Sequence, residues 1–168
     1  MVSLDEVQQD VERQYALLDP PVWPPPRGFM ESPRDEEYSR TSEPERWRAV
    51  LLRGRAWAAA LAGLPGVEHE VLPAGPEPRR GAGRYDRGHS FRSSRPGTSV
   101  VRILEIDGGD PVLWSVGVGE DATPARWTPH CGCDACDDGS EVALMEVDRD
   151  VRAALGEHPG GSARPWFD

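Results

Sequence analysis

The apolar side chains of this chain change from a helical to an alternating spacing after Leu64, and that change limits the folds open to it. Up to Leu64 they recur with a helical period. Trp47, Val50, Leu51, Trp57, Ala58, Leu61 and Leu64 share one broad face, and Arg46, Arg48, Arg53 and Arg55 cover the rest. Ser42-Glu43-Pro44-Glu45 has the pattern of a capping box, and Gly63 with Pro65-Gly66 supplies a stop, so the spacing predicts a helix over about 43–63. From Val67 the period becomes 2. Val67, His69 and Val71 alternate with Glu68 and Glu70, which predicts a half-buried strand with His69 on its apolar side. Residues 99–106 (SVVRILEI) and 111–118 (PVLWSVGV) are rich in β-branched side chains. They flank Asp107-Gly108-Gly109-Asp110, whose glycines accept the positive φ of a tight turn, so a hairpin over about 99–118 is expected at the centre of a sheet.

Two more helices complete the pattern. Ser3 and Glu6 form a capping box ahead of Leu4, Val7, Val11, Tyr15 and Leu18, one stripe that ends at Asp19-Pro20. A last helix is expected from about Gly139, capped by Asp138 with Glu141 three residues on. Val142, Met145, Val147, Val151 and Leu155 lie on its apolar side, and Gly156 stops it. The order predicts an α+β fold, helices packed on a small antiparallel sheet. A length of 168 residues suits one domain over 1–168, since two would leave each with a small core. The Pro-rich stretch 19–38 and the Gly/Pro/Arg-rich stretch 72–97 read as flexible loops. Trp166-Phe167 either docks in a groove or stays exposed, and the sequence leaves both open.

Charge narrows the function classes. The chain has 29 acidic and 19 basic residues, a net charge of −10, and every basic residue is arginine, as a GC-rich coding sequence would give. Residues 1–45 carry net −7, 79–102 net +6 and 103–168 net −10. Phosphate neutralisation needs a positive face, so a nucleic-acid partner is not expected. The one basic stretch, RRGAGRYDRGHSFRSSR (79–95), would offer Tyr85 and Phe91 for base stacking, but it reads more simply as a loop paired with the protein's own acids. The acidic ends would suit a basic protein partner, as in an inhibitor or immunity-type protein, or would serve solubility alone. No apolar run approaches the length of a membrane span, and the acidic start, MVSLDEVQQD, has the wrong chemistry for a signal peptide. The expectation is a cytoplasmic protein. Phosphate-binding glycine loops, HExxH and GxSxG are all missing, so no catalytic residues are assigned and an enzyme is not expected.

One segment carries chemistry. In Thr128-Pro129-His130-Cys131-Gly132-Cys133-Asp134-Ala135-Cys136-Asp137-Asp138, four soft or borderline ligands fall within seven residues. Zinc takes four tetrahedral N or S ligands. Cys133-x-x-Cys136 has the bite of a metal knuckle, and Cys131 joins it through a turn that Gly132 permits. Candidate metal ligands are therefore Cys131, Cys133, Cys136 and His130, with zinc as the cofactor and a carboxylate such as Asp134 as a further candidate for the fourth position. Two other readings stand beside this one. A C-x-x-C ahead of a helix also suits a thiol redox pair, Cys133 and Cys136, although the aspartates around it would raise thiol pKa values. The cysteines would otherwise fill an inert turn that begins the last helix.

The string CGCDACD, with Tyr38-Ser39-Arg40 and Pro44-Glu45-Arg46-Trp47-Arg48 upstream (YSR-x(3)-PERWR), resembles an uncharacterised, mainly actinobacterial family, a domain of unknown function. The resemblance runs from about Tyr38 through the last helix. It implies no activity, substrate or catalytic residue. That family's pattern has an acidic residue where this chain has His130, so the resemblance does not require His130 as a ligand.

Overall fold

The structure is a computed structural model that describes residues 2–28, 31–76, 84–119, 126–157 and 164–167. Helix α1 (Leu4–Ala16) opens on the box expected of it. The Ser3 hydroxyl accepts from the Glu6 N–H, the Glu6 carboxylate accepts from the Ser3 N–H at 2.7 Å, and Val7, Val11 and Tyr15 are buried. Helix α2 (Arg48–Ala62) follows a 3-10 turn, Pro44–Trp47. Two expectations for it need correction. Ser42 caps nothing on α2, because its N–H and hydroxyl donate to Asp134 instead. Arg53 lies on no solvated face. It is 2% exposed, and its guanidinium sits between Glu12 of α1 and Asp148 of the last helix, with Nε to Asp148 at 2.8 Å and Nη1 to Glu12 at 2.9 Å. The Trp57 indole donates to the same Asp148 at 2.7 Å, so three helices meet on one paired ion cluster.

The sheet holds β1 (Val67–Leu72), β4 (Arg87–Ser93), β5 (Val101–Ile106) and β6 (Leu113–Val118), antiparallel in the order β1-β4-β5-β6. A second, two-stranded ladder pairs β2 (Gly75–Pro76) with β3 (Arg84–Tyr85). This is the α+β fold with the 99–118 hairpin that the sequence predicts. The hairpin supplies one inner strand and one outer strand, because β4 inserts between β1 and β5. Strand β4 corrects the reading of 72–97 as one loop, of which 77–83 lie outside the described residues. Its arginines, glycine and serines hide a buried face. Phe91, set aside above for base stacking, is fully buried opposite Val101.

The face that meets α2 carries Phe91, Val101, Ile103, Trp114 and Val116. Trp114 packs on α2 at Gly54, where an added Cβ would fall 1.8 Å from the indole nitrogen, so only glycine allows the approach. Strand β1 is more open than its alternation implied, and His69 is exposed. Its ring stacks on Phe91 at 4.9 Å and shares a 3.0 Å hydrogen bond with His89.

Helix α3 (Ser140–Arg152) buries Ala143, Val147 and Val151, with Leu155 beyond its end. Val142 and Met145, placed on the apolar stripe above, are exposed, because the buried residues repeat every four positions from Ala143. Asp138 is exposed and caps nothing, while Asp137 accepts from the Gly139 N–H at 2.9 Å. Trp166 docks: it is buried, its N–H donates to Leu155 O at 2.9 Å and its indole donates to Ser99 O at 3.0 Å. No helix among the described residues is long and apolar enough to cross a membrane.

Candidate metal centre

The cysteine turn is fixed at both ends. Before it, Thr128 pairs with Trp114 of β6 through N–H to O bonds of 2.7 and 2.8 Å. After it, a 3-10 turn over Asp134–Cys136 leads into α3. Gly132 turns the chain with φ 69°, and a Cβ there would meet Pro111 Cγ at 2.4 Å. The turn brings the three sulfurs together. They all lie within 4.8 Å of one another, and Cys131 Sγ is 3.2 Å from Cys133 Sγ. Cys133 is buried, Cys131 and Cys136 are exposed, and all three are free thiols.

Among the described residues, no histidine or carboxylate joins this group. His130 is exposed and lines a cavity of about 170 Å³ together with Cys136, Trp47, Arg126 and Glu146. Asp134 is already filled. It accepts from the Ser42 N–H (2.8 Å), the Ser42 hydroxyl (2.6 Å), Arg40 Nε (2.7 Å) and Arg46 Nη2 (3.3 Å). Burial opposes its ionisation, but the Ser42 and Arg40 bonds more than offset that and hold its carboxyl at about 2. Asp137 accepts from the Trp23 indole (2.8 Å) and pairs with Arg46 at 3.0 Å. The aspartates that the sequence placed as free negative charge around the thiols are thus largely neutralised. Only Asp138 remains exposed.

A second set of contacts clamps the backbone of the turn. Arg27, on the Pro-rich stretch, donates to the carbonyls of Asp134 (3.0 Å), Ala135 (2.8 Å) and Asp137 (3.1 Å) and pairs with Glu37 at 3.0 Å. The Trp47 indole donates to Gly132 O at 3.1 Å, and the Asp134 N–H to Arg40 O at 2.7 Å. Sequence reasoning assigned none of these roles to Arg27, Arg40, Ser42, Arg46 or Trp47. The one available signal was that Tyr38 to Arg48 and the cysteine string belong to a single resemblance. In space the two strings are one structure.

The thiols share one charge unevenly. Burial raises the Cys131 pKa, yet hydrogen bonds from the Cys133 backbone and from the Cys133 and Cys136 thiols bring it below the ordinary thiol value. Cys136 is pushed up to about 12, first by its bond with Cys131 and then by burial. Three thiols that converge with one favoured thiolate are suited to holding a soft cation, which removes the remaining protons as it binds. The residues present fit a metal ion, and they do not select which one.

No curated protein and no solved structure matches the chain. A family model does match, over residues 11–163, a span that includes both motif strings and all three cysteines. The chain therefore belongs to that family, described as a family of unknown function (DUF6226).

Proposed function

We propose that this is a metal-binding protein with a binding or regulatory role, in which Cys131, Cys133 and Cys136 hold a single ion, zinc being the resident metal. The observation that carries the reading is the convergence of three free sulfurs within 4.8 Å in a turn held by side chains other than the cysteines. A disulfide pair would need only two thiols. A 3.2 Å sulfur contact, moreover, joins Cys131 to Cys133, outside the C-x-x-C pair. This favours a shared ion over a Cys133–Cys136 redox couple. Zinc suits thiolate donors. With Asp134 and Asp137 committed to arginines, His130 and the carboxylates of Asp138 and Glu146, which line one cavity with Cys136, are the protein candidates for a fourth ligand, and a solvent molecule is another.

Metal analysis of protein purified without chelator tests the reading. Near one equivalent of zinc is expected, lost together from Cys131→Ser and Cys136→Ser variants. Less than about 0.2 equivalents of any transition metal would overturn it, since structural zinc is held near stoichiometry.

A further inference from the structure

We infer that the three-sulfur site also takes a three-coordinate thiophilic ion of the arsenite class, trivalent arsenic or antimony, and that such an ion is the better match to its donors. This rests on the metal-binding reading above and narrows its ligand.

Donor count comes first. Three sulfurs converge, and among the described residues no imidazole or carboxylate joins them. Asp138 and Glu146 line a cavity with Cys136 but do not join the sulfur group, and the two buried carboxylates cannot swing in cheaply. Asp134 would give up Ser42, Arg40 and Arg46, and Asp137 would give up Trp23, Arg46 and the Gly139 N–H. An ion satisfied by three thiolates needs nothing more from this chain, whereas a tetrahedral ion does.

One of the three sulfur pairs, the others lying within 4.8 Å, is close enough for such a three-coordinate ion. On bonds of about 2.3 Å, a tetrahedral ion holds two sulfurs roughly 3.7 Å apart. The Cys131–Cys133 separation is 3.2 Å, which on bonds of about 2.3 Å corresponds to an angle of roughly 90° at the ion. Ions whose fourth vertex is a lone pair bind three sulfurs at such compressed angles.

Charge is the third argument. Three thiolates on a divalent ion leave one net negative charge, and on a trivalent ion they leave none. Cys133 is only 7% exposed, and an uncompensated charge in a partly buried site is unfavourable. The arginines that could offset it already face Asp134 and Asp137. Entry is open, because Cys131 and Cys136 are exposed. The turn is also preorganised, since Arg27 and Asp134 hold it through contacts that involve no ion.

The binding step is a ligand exchange without redox change. Arsenous acid, As(OH)3, reacts with three thiols. Three As–O bonds break, three As–S bonds form, and each thiol proton leaves with a hydroxide as water. The products are one As(SR)3 group and three waters, with arsenic trivalent throughout.

The test uses the full chain, reduced and stripped of metal, titrated with sodium arsenite and, separately, with zinc. Native mass spectrometry and counting of free thiols give the readout, and circular dichroism confirms that each variant is folded. The expected result is a one-to-one arsenic adduct in which the count falls from three thiols to none. His130→Ala should leave arsenite affinity unchanged, and Cys136→Ser, at an exposed position, should lower it by at least about tenfold. An adduct that consumes only two thiols would overturn the inference. So would zinc binding that outcompetes arsenite and falls about tenfold or more in His130→Ala, because the site would then be a four-ligand one. Zinc binding without arsenite binding sinks this inference and leaves the metal-binding reading intact. Failure of both ions sinks both.

Discussion

Two arginine clusters organise this molecule, and they differ in what they leave over. At the junction of α1, α2 and α3, Arg53 faces Glu12 and Asp148 while Trp57 completes Asp148, and the cluster closes on itself. Around the cysteine turn, Arg27, Arg40 and Arg46 also satisfy carboxylates and carbonyls, yet among the described residues the three sulfurs meet one another and no cation. A polar cluster whose charges all pair with one another is architecture. A rigid frame that converges unanswered donors is a candidate site. The same residue type does both jobs in one chain, so the arginine content alone distinguishes neither.

Breaking the closed cluster should have the largest effect on stability. Arg53→Met leaves Asp148 and the exposed Glu12 without their cation, and disruption of the largely buried Arg53–Asp148 pair costs about 3 kcal/mol. For a chain of this length that is a fall of roughly 6–12 °C in Tm, read by thermal denaturation. The stoichiometry of metal on the folded variant should not change. If it did, the two clusters would be coupled.

Breaking the frame of the turn should do the reverse. Asp134→Ala removes the acceptor of Ser42, Arg40 and Arg46 and should cost about 2 kcal/mol, within the range for bonds to a charged group plus the donors left behind. Its larger consequence should be on the site, with zinc affinity down by about tenfold or more as the turn loosens. Equal zinc affinity in the variant would mean that the frame does not organise the sulfurs. The pH dependence has a definite sign. The Asp134 carboxyl is held at about 2 in the fold against about 3.9 in an unfolded chain, so its stabilisation is complete above about pH 4 and is lost as pH falls towards 2.

The smallest effect concerns a region with no arginine frame of its own, the His69–His89 pair at the β1–β4 edge. His89 is pushed down to about 4, by burial first and then by the facing charges of His69, Arg87 and Arg55. The native state binds fewer protons than the unfolded chain between about pH 4 and 6.5. Stability from this group is therefore full above about pH 6.5 and declines as pH falls through that window. His89→Phe should flatten the decline in Tm from pH 7 to 5 by a few degrees. An unchanged slope would remove His89 as its cause.

The comparison also shows what a sequence can carry. The Ser3–Glu6 box, α2, the 99–118 hairpin and the gathering of the cysteines were legible because each is written within a few neighbouring residues. Strand β4 was not. Arg87, Gly88, Ser90 and Arg92 surround a single fully buried Phe91, and local alternation cannot show that β1 and β5 flank it. Arg53 read as part of a solvated face because its partners lie 41 and 95 residues away along the chain. Ser42 and Arg46 likewise reach Asp134 across 92 and 88 residues. Long-range ion pairs leave no periodic trace, and so the donors of the site could be read while its frame could not.

The central claim is that the three sulfurs of the cysteine turn bind one ion together. Cobalt(II) titration of the reduced protein, followed by sulfur-to-cobalt charge-transfer absorption, tests it most directly. The account predicts a thiolate band that saturates at one equivalent, with intensity for three sulfurs, falling in steps in single Cys131→Ser and Cys136→Ser variants. A titration that gives no thiolate band while all three cysteines stay reactive as free thiols would contradict it.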